Sequence, residues 1–385
     1  MTARPLSASR VPVTARPLSA SRVPVTARRF SVSRARASDR PVAVLDLGGT
    51  WFRAGVLTGG DTVEGLRRRP AVTTRGTGGP AADVQRLTTD WIVDTLDELR
   101  AEWPAPIDLC AVSLGAAMDD RTGRVIGGAP LFGAETTDWH PAGELAARRP
   151  EVTWAVLNDV SALAYALLKD DTLDQSRTAA ALTVSTGIAY RTIDLATGRI
   201  PRDRRYGLQG EVGHLPSRME WDGAQVAADC DCGAPGHVSA FASGRGIEGV
   251  LHRVPASDWG GDPDTAATAG VIAAFGRAVA AGHDGARRLL DAVTAPLAEV
   301  LLAQTCLNPQ VEYTVLTGGV VDGLGDPYLA SLRGNLGRLG LYGISDRDPD
   351  YFAPRIRRGP SDGLCALRGV GIHARGLVDG SEHTP

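Results

Sequence analysis

The chain of 385 residues contains a single lysine, Lys169, among 41 basic residues. A phosphate cradle built on a Walker lysine is therefore excluded, since no G-x-x-x-x-G-K-[ST] run exists and Lys169 lies far from any glycine-rich loop. There are five cysteines, and only Cys230 and Cys232 are close together, so no disulfide framework is written into the chain. No uninterrupted apolar run approaches the length that spans a bilayer. A formal charge of −3 gives no general attraction to nucleic acid or to acidic lipid surfaces. These shortages point to a cytoplasmic protein with neither a nucleic-acid nor a membrane partner.

What is present begins with a repeat. The segment TARPLSASRVPV fills 2–13 and recurs at 14–25, with a degraded third copy from Thr26. It has no apolar core and proline recurs too often for a long helix, so residues 1–40 read as a disordered Arg/Ser-rich tail, as a misassigned start codon would produce. From Arg40 onward the pattern changes. PVAVLDLGGT and WFRAGVLTGGDT predict two strands joined by a tight hairpin, IDLCAVSLG a third core strand, and EVTWAVLND a strand that runs into a helix. RTAAALTVSTG with IAYRTIDLATG, and VEYTVLTGGV, repeat that logic further along. Helices are expected over about 82–102, 238–253, 264–281, 284–304, 326–338 and 362–376. The expectation is an α/β protein of two related lobes with a cleft between them. Residues 41–160 plus 361–379 would form the small lobe, and 161–360 the large lobe.

Three glycine turns suit phosphate. In DLGGTWFR, Gly48 and Gly49 let backbone N–H groups approach an anion, Thr50 adds a hydroxyl, and Asp46 suits a water-mediated Mg²⁺ contact. Ser185, Thr186 and Gly187 form the second turn; Gly318 and Gly319 the third, where an adenosine could lie against backbone. The bland alternative for each is an ordinary hairpin or loop. Asp159 follows Asn158 at the strand-to-helix junction of LNDVSALAYALL, where Asn158 can cap the helix. Asp159 is either a simple helix-start residue or a general base that takes the proton of a sugar hydroxyl attacking the γ-phosphorus of ATP. Four metal-capable side chains, His214, Cys230, Cys232 and His237, sit in EVGHLP and DCDCGAPGH. Cys110, Cys306 and Cys365 read as core thiols.

Taken together, DLGGTWFR, LNDVSALA, GLQGEVGHLP, CDCGAPGH and LTGGVV resemble the ROK family of bacterial sugar kinases and sugar-responsive repressors, over roughly 42–376. The resemblance implies a two-lobed actin/hexokinase-like ATPase fold with duplicated ribonuclease H-like domains. It implies ATP with Mg²⁺, Asp159 as base, and Asn158, Glu211 and His214 at the sugar. It also implies a structural Zn²⁺ on His214, Cys230 and Cys232, with His237 where a third cysteine is usual, and a homo-oligomer, dimer or tetramer. Several positions depart from the family. Ser239 replaces a substrate-binding glutamate, Ala189 and Tyr190 replace glycines after the second turn, SLGAAMDD (Ser113–Asp120) replaces a G-x-P-G turn, and APLFG (129–133) lacks an asparagine. Losing a hydroxyl-binding carboxylate favours a C7-cyclitol, phosphorylated on its exocyclic hydroxymethyl, over glucose as the polyol. Glucokinase is the alternative; a sugar-binding regulator or an inactive member is more remote, and the bulk of Ala189–Tyr190 is what favours inactivity.

Overall fold

The structure is a computed structural model that describes residues 40–128, 131–133 and 138–379. The repeat at 1–39 lies outside the described residues, as do Ala129 and Pro130 of the APLFG segment. Arg40, assigned above to the tail, belongs to the folded part. Its side chain donates to Asp108 at 3.0 Å, and its carbonyl accepts from the Arg375 guanidinium.

Two sheets carry the architecture. The first contains β1 (Val42–Leu47), β2 (Trp51–Leu57), β3 (Val63–Pro70), β4 (Leu109–Leu114) and β5 (Thr153–Asn158), in the order β3-β2-β1-β4-β5. The second contains β6 (Thr178–Val184), β7 (Ile188–Asp194), β8 (Val311–Thr317) and β9 (Ile356–Arg358), in the order β9-β8-β6-β7. In each, a hairpin partner lies antiparallel to the first strand, and two later strands join parallel on its other side. The duplication expected from the repeated strand–turn–strand pattern is therefore present. Among the described residues the second sheet has no counterpart of β3, the arginine-rich strand that the sequence pattern did not suggest.

Both faces of β1 are buried, which explains its unbroken apolar run. Ala43, Leu45 and Leu47 point into one cluster, together with Val84, Ile92, Leu96 and Leu99 of α1 (Ala81–Glu102). Val42 and Val44 point into another, with α2 (Asp159–Ala166) and α6 (Cys365–Asp379). Gly369 of α6 lets the two helices meet backbone to backbone, for a Cβ there would lie 1.8 Å from the carbonyl of Ala162. That contact fixes the helix whose first residue is Asp159.

Two helices expected to be continuous are broken. The segment 238–253 divides at Ser243, whose hydroxyl donates to the Ser239 carbonyl at 2.6 Å and accepts from Gly246 N at 3.1 Å. This starts α3 (Gly244–Leu251) against the second glycine turn, where Gly244 N donates to Ser185 O at 2.7 Å. The segment 264–281 divides at Gly270, whose φ of +89° belongs to glycine. Among the described residues one helix, α4 (Asp284–Leu307), is long and apolar enough to cross a bilayer by length and composition. Its Leu289, Leu290, Val293, Leu297 and Leu301 are buried in the core of the second sheet, where α4 packs on α5 (Asp326–Leu339).

Candidate active site

The β1–β2 turn and the β6–β7 turn face each other. Thr50 Oγ1 and Thr186 Oγ1 stand 3.3 Å apart, although 136 residues separate them. Around this meeting point lie two cavities. One, of about 510 Å³, is lined by Asn158, Asp159, Glu211, His214 and Ser239. The other, of about 600 Å³, is lined by Asp46, Thr50, Thr317, Gly318, Gly319 and Asp322. They share Gly48, Gly49, Asp159, Thr183, Ser185, Thr186, Arg245 and Glu248. Of the residues expected at the polyol, Asn158, Glu211, His214 and Ser239 line only the first cavity; of those expected at the nucleotide, Asp46, Thr50, Gly318 and Gly319 line only the second, Gly48, Gly49, Ser185 and Thr186 line both, and Gly187 lines only the first. Asp159 lines both.

Local structure explains where Asp159 points. Asn158 is the N-cap of α2, and its Oδ1 accepts from Val160 N at 3.0 Å and Ser161 N at 3.3 Å. Its Nδ2 donates to Ala116 O and to Asp159 Oδ1, at 2.9 and 3.0 Å. Val160 N also donates to Asp159 Oδ1, at 2.9 Å. Asp159 Oδ2 faces Gly115, where a Cβ would lie 3.5 Å from it and 3.2 Å from the Leu47 carbonyl. Burial pushes the Asp159 carboxyl up to about 7, and the charges of Asp46 and Glu211 add to the rise. A carboxyl with that poise is half ionised near neutrality, as a general base requires.

Asp46, the penultimate residue of β1, lines the second cavity. Ser113 Oγ donates to its Oδ1 at 2.8 Å, and Arg53 pairs with Oδ2 at 3.3 Å. Burial raises its carboxyl, against the pull of Arg53 and Ser113. Its hard oxygen donors suit Mg²⁺.

Behind the first cavity lies a network that the motifs did not reveal. Arg191 is buried within β7; it donates to Glu211 Oε1 at 2.9 Å and to Ser161 Oγ at 3.2 Å. Ser161 in turn bonds Asp120, whose Oδ1 accepts from Asn158 N at 2.8 Å. Arg191 thereby links the proposed polyol ligand Glu211 to the cap that sets Asp159. An arginine in the middle of the predicted core strand IAYRTID was the available signal. The neighbouring Tyr190 points into the hydrophobic core, and only Ala189 lines the first cavity. Tyr190 therefore adds no bulk at the turn, and of the two residues that favoured an inactive protein only Ala189 remains at the cavity.

The four metal-capable side chains come together, with ligand atoms all within 4.8 Å of one another. Cys230 Sγ lies 3.7 Å from His214 Nδ1, and Cys232 Sγ 3.3 Å from His237 Nδ1. Two soft thiols and two imidazoles at these separations match the edges of a Cys₂His₂ tetrahedron, so the donor set fits Zn²⁺. Backbone pairs lace the site: Cys230 N to Ala234 O at 2.9 Å, Ser217 N to Gly236 O at 2.6 Å, and Val238 N to Leu215 O at 3.0 Å. The last bond ties the His214 turn to the helix that carries Ser239. Gly213 is needed there, since a Cβ would lie 2.3 Å from both Ile188 O and Ser239 Oγ.

Of the remaining cysteines, Cys110 is a core thiol as expected. Cys306 is exposed near the end of α4, and Cys365 lines the second cavity. Both differ from the expectation: helical periodicity turns Cys306 outward, and Cys365 starts α6 at the cleft edge.

Comparison with known proteins places the site in context. The sequence matches the ROK family profile over residues 42–339. It is 40% identical over 353 residues to a 2-epi-5-epi-valiolone 7-kinase from an Actinoplanes species, covering 88% of this chain and 94% of that protein. It is 30% identical to a C(7)-cyclitol 7-kinase from Streptomyces hygroscopicus subsp. jinggangensis, covering 86% and 92%. Among solved structures, a ROK family glucokinase from Streptomyces griseus in complex with glucose and AMPPNP superimposes with a TM-score of 0.64 at 18% identity. The overlap covers 87% of this chain and 99% of that one. At that identity the likeness shows the fold.

Proposed function

The chain belongs to the ROK family, and from that premise we propose that it is an ATP-dependent kinase for the exocyclic hydroxymethyl group of a C7-cyclitol. One observation carries the chemical part: Asp159, with a carboxyl poised near neutrality, stands where the two cavities meet. The choice of polyol is supported by the 40% identity to a valiolone 7-kinase across nearly its whole length, and by Ser239 in place of a hydroxyl-binding carboxylate. A cavity of about 510 Å³ suits a ligand of hexose size.

In this reading the cyclitol occupies the first cavity. Glu211, held by Arg191, and Asn158 accept or donate hydrogen bonds to its hydroxyls, and Ser239 leaves room where a carboxylate would crowd it. His214 would serve twice, one ring nitrogen on the metal and the other on the polyol. ATP occupies the second cavity, with its adenosine against Gly318 and Gly319. Backbone N–H groups of Gly49, Thr50, Thr186 and Gly187 would face its terminal phosphates, while those of Gly48 and Ser185 close their own turns on Trp51 O and Gly187 O. The hydroxymethyl oxygen loses its proton to Asp159 and attacks the γ-phosphorus; the bond from that phosphorus to the β,γ-bridging oxygen breaks, and ADP departs. Asp159 then releases the proton to solvent. Mg²⁺, held through Asp46, would supply charge neutralisation on the phosphates. Zn²⁺ on His214, Cys230, Cys232 and His237 would be closed and structural, fixing the loops that carry Glu211 and Ser239. A cytoplasmic homo-oligomer completes the reading.

A coupled ADP-release screen over C7-cyclitols, glucose, amino sugars and inositols tests it. The expected result is turnover of a valiolone-type cyclitol with kcat/KM at least tenfold above that for glucose. A preference for glucose would replace the cyclitol reading with glucokinase, and no polyol-dependent ADP release at all would overturn the kinase reading.

A further inference from the structure

Phosphoryl transfer needs positive charge on the transferring group, and the chain has no lysine near its phosphate turns. Among the described residues, the junction shared by the two cavities contains one basic side chain, Arg245, the second residue of α3. Arg53 lines only the second cavity, and its guanidinium is held by Asp46 and by the Gly363 carbonyl. Arg75, His252 and Arg253 line only the first. Glu248 shares the junction but carries the wrong sign.

Arg245 is not idle. Its guanidinium pairs with Asp231, the residue between Cys230 and Cys232, and both side chains are about a quarter exposed. Asp231 has a second partner, Arg75, at 3.3 Å. This arrangement makes departure of Arg245 inexpensive. A half-buried carboxylate that loses its only cation costs several kcal/mol, but Asp231 keeps Arg75. A γ-phosphate carries more charge than a carboxylate and offers the planar fork two oxygens.

We propose that Arg245 is a catalytic residue of this chain, leaving Asp231 for the γ-phosphoryl group of ATP and staying on its non-bridging oxygens during transfer. The inference rests on the kinase reading above. The Pγ–O bond to the attacking oxygen forms, the bond to the β,γ-bridging oxygen breaks, and the two N–H groups of Arg245 bind the oxygens that the phosphorus carries across. Asp231 acts as the resting partner, so the arginine is ordered before nucleotide arrives.

The test compares ADP with the β,γ-imido analogue of ATP, by calorimetry on the full chain with Mg²⁺. Arg245→Gln should weaken the imido analogue at least tenfold, leave ADP affinity within twofold, and lower kcat about 10²–10³-fold, the usual effect of deleting one charge-stabilising donor. Arg245→Lys, which keeps a cation without the fork, should recover part of both losses. Asp231→Asn removes the competitor and should tighten the imido analogue. Equal weakening of both nucleotides in Arg245→Gln, or affinities unchanged, would overturn the role of Arg245 while leaving the kinase reading intact. A purely structural bridge would make Arg245→Gln and Asp231→Asn behave alike, which also contradicts it. Wild-type protein that binds neither nucleotide would remove the kinase reading, and this inference with it.

Discussion

Replacing Asp159 by asparagine should stop the reaction and stabilise the protein, and the second effect should depend on pH. The folded carboxyl sits at about 7, against 3.8 for an ordinary aspartate. The shift is upward, so the stability that Asp159 contributes is fully present only below about pH 4. It falls as the pH rises through 7, because the unfolded chain releases the proton first. At pH 8 the carboxylate is ionised in both states, and forcing that charge into the cleft costs about 4 kcal/mol (roughly three units at 1.36 kcal/mol each). At pH 5 the folded group still holds its proton, and the cost is only about 1.5 kcal/mol. Asparagine keeps the shape and does not titrate. The gain from Asp159→Asn should therefore be greater at pH 8 than at pH 5 by about 2.5 kcal/mol, whatever constant offset the amide introduces. Thermal melts of both proteins at the two pH values, followed by circular dichroism, read this directly as a melting-point difference that widens with pH. Equal gains at pH 5 and pH 8 would mean that the carboxyl is not raised, and the case for a base poised at neutrality would fail.

The same electrostatics predicts kinetics. The acidic limb of kcat/KM against pH should fall near pH 7, and Glu211→Gln should move it to lower pH, because it removes a like charge and frees the positive field of Arg191; a limb that stays in place would show that Glu211 is remote from the base. Ser239→Glu should reduce kcat/KM for a C7-cyclitol at least tenfold and raise the ratio of glucose to cyclitol turnover, whereas an unchanged ratio would remove Ser239 from substrate selection. Elemental analysis should find one zinc per chain, and Cys232→Ser or prolonged chelation should lose the metal, lower the melting point and raise the polyol KM more than the ATP KM. Full stability and an unchanged KM after zinc removal would contradict the proposed support of Glu211 and Ser239.

Much of this site is readable in the sequence, because glycine turns and strand ends are local features. DLGGT, STG and LTGG each announce a turn by composition, and LND announces a capped helix start; the structure places all of them around one cleft. The C-x-C-x₄-H spacing likewise brings its ligands together through a short loop with few conformations. What escaped is non-local. Arg191, Ser161 and Asp120 meet only because β7, α2 and the segment after β4 converge, and no spacing encodes that contact. Arg245 was hidden for a related reason: the break at Ser243, set by a side-chain cap, is what aims it at the junction. β3 was missed because VEGLRRRP has an exposed, polar face toward solvent and little apolar alternation.

The central claim is that one carboxylate serves both cavities, and single-turnover transfer from γ-labelled ATP to a valiolone-type cyclitol tests it most directly. Calorimetry on wild type and Asp159→Asn should give similar affinities for polyol and nucleotide, while the transfer rate of the variant falls about 10³-fold or more, within the range for loss of a general base and its charge. Transfer within tenfold of wild type, with both ligands bound, would contradict the account.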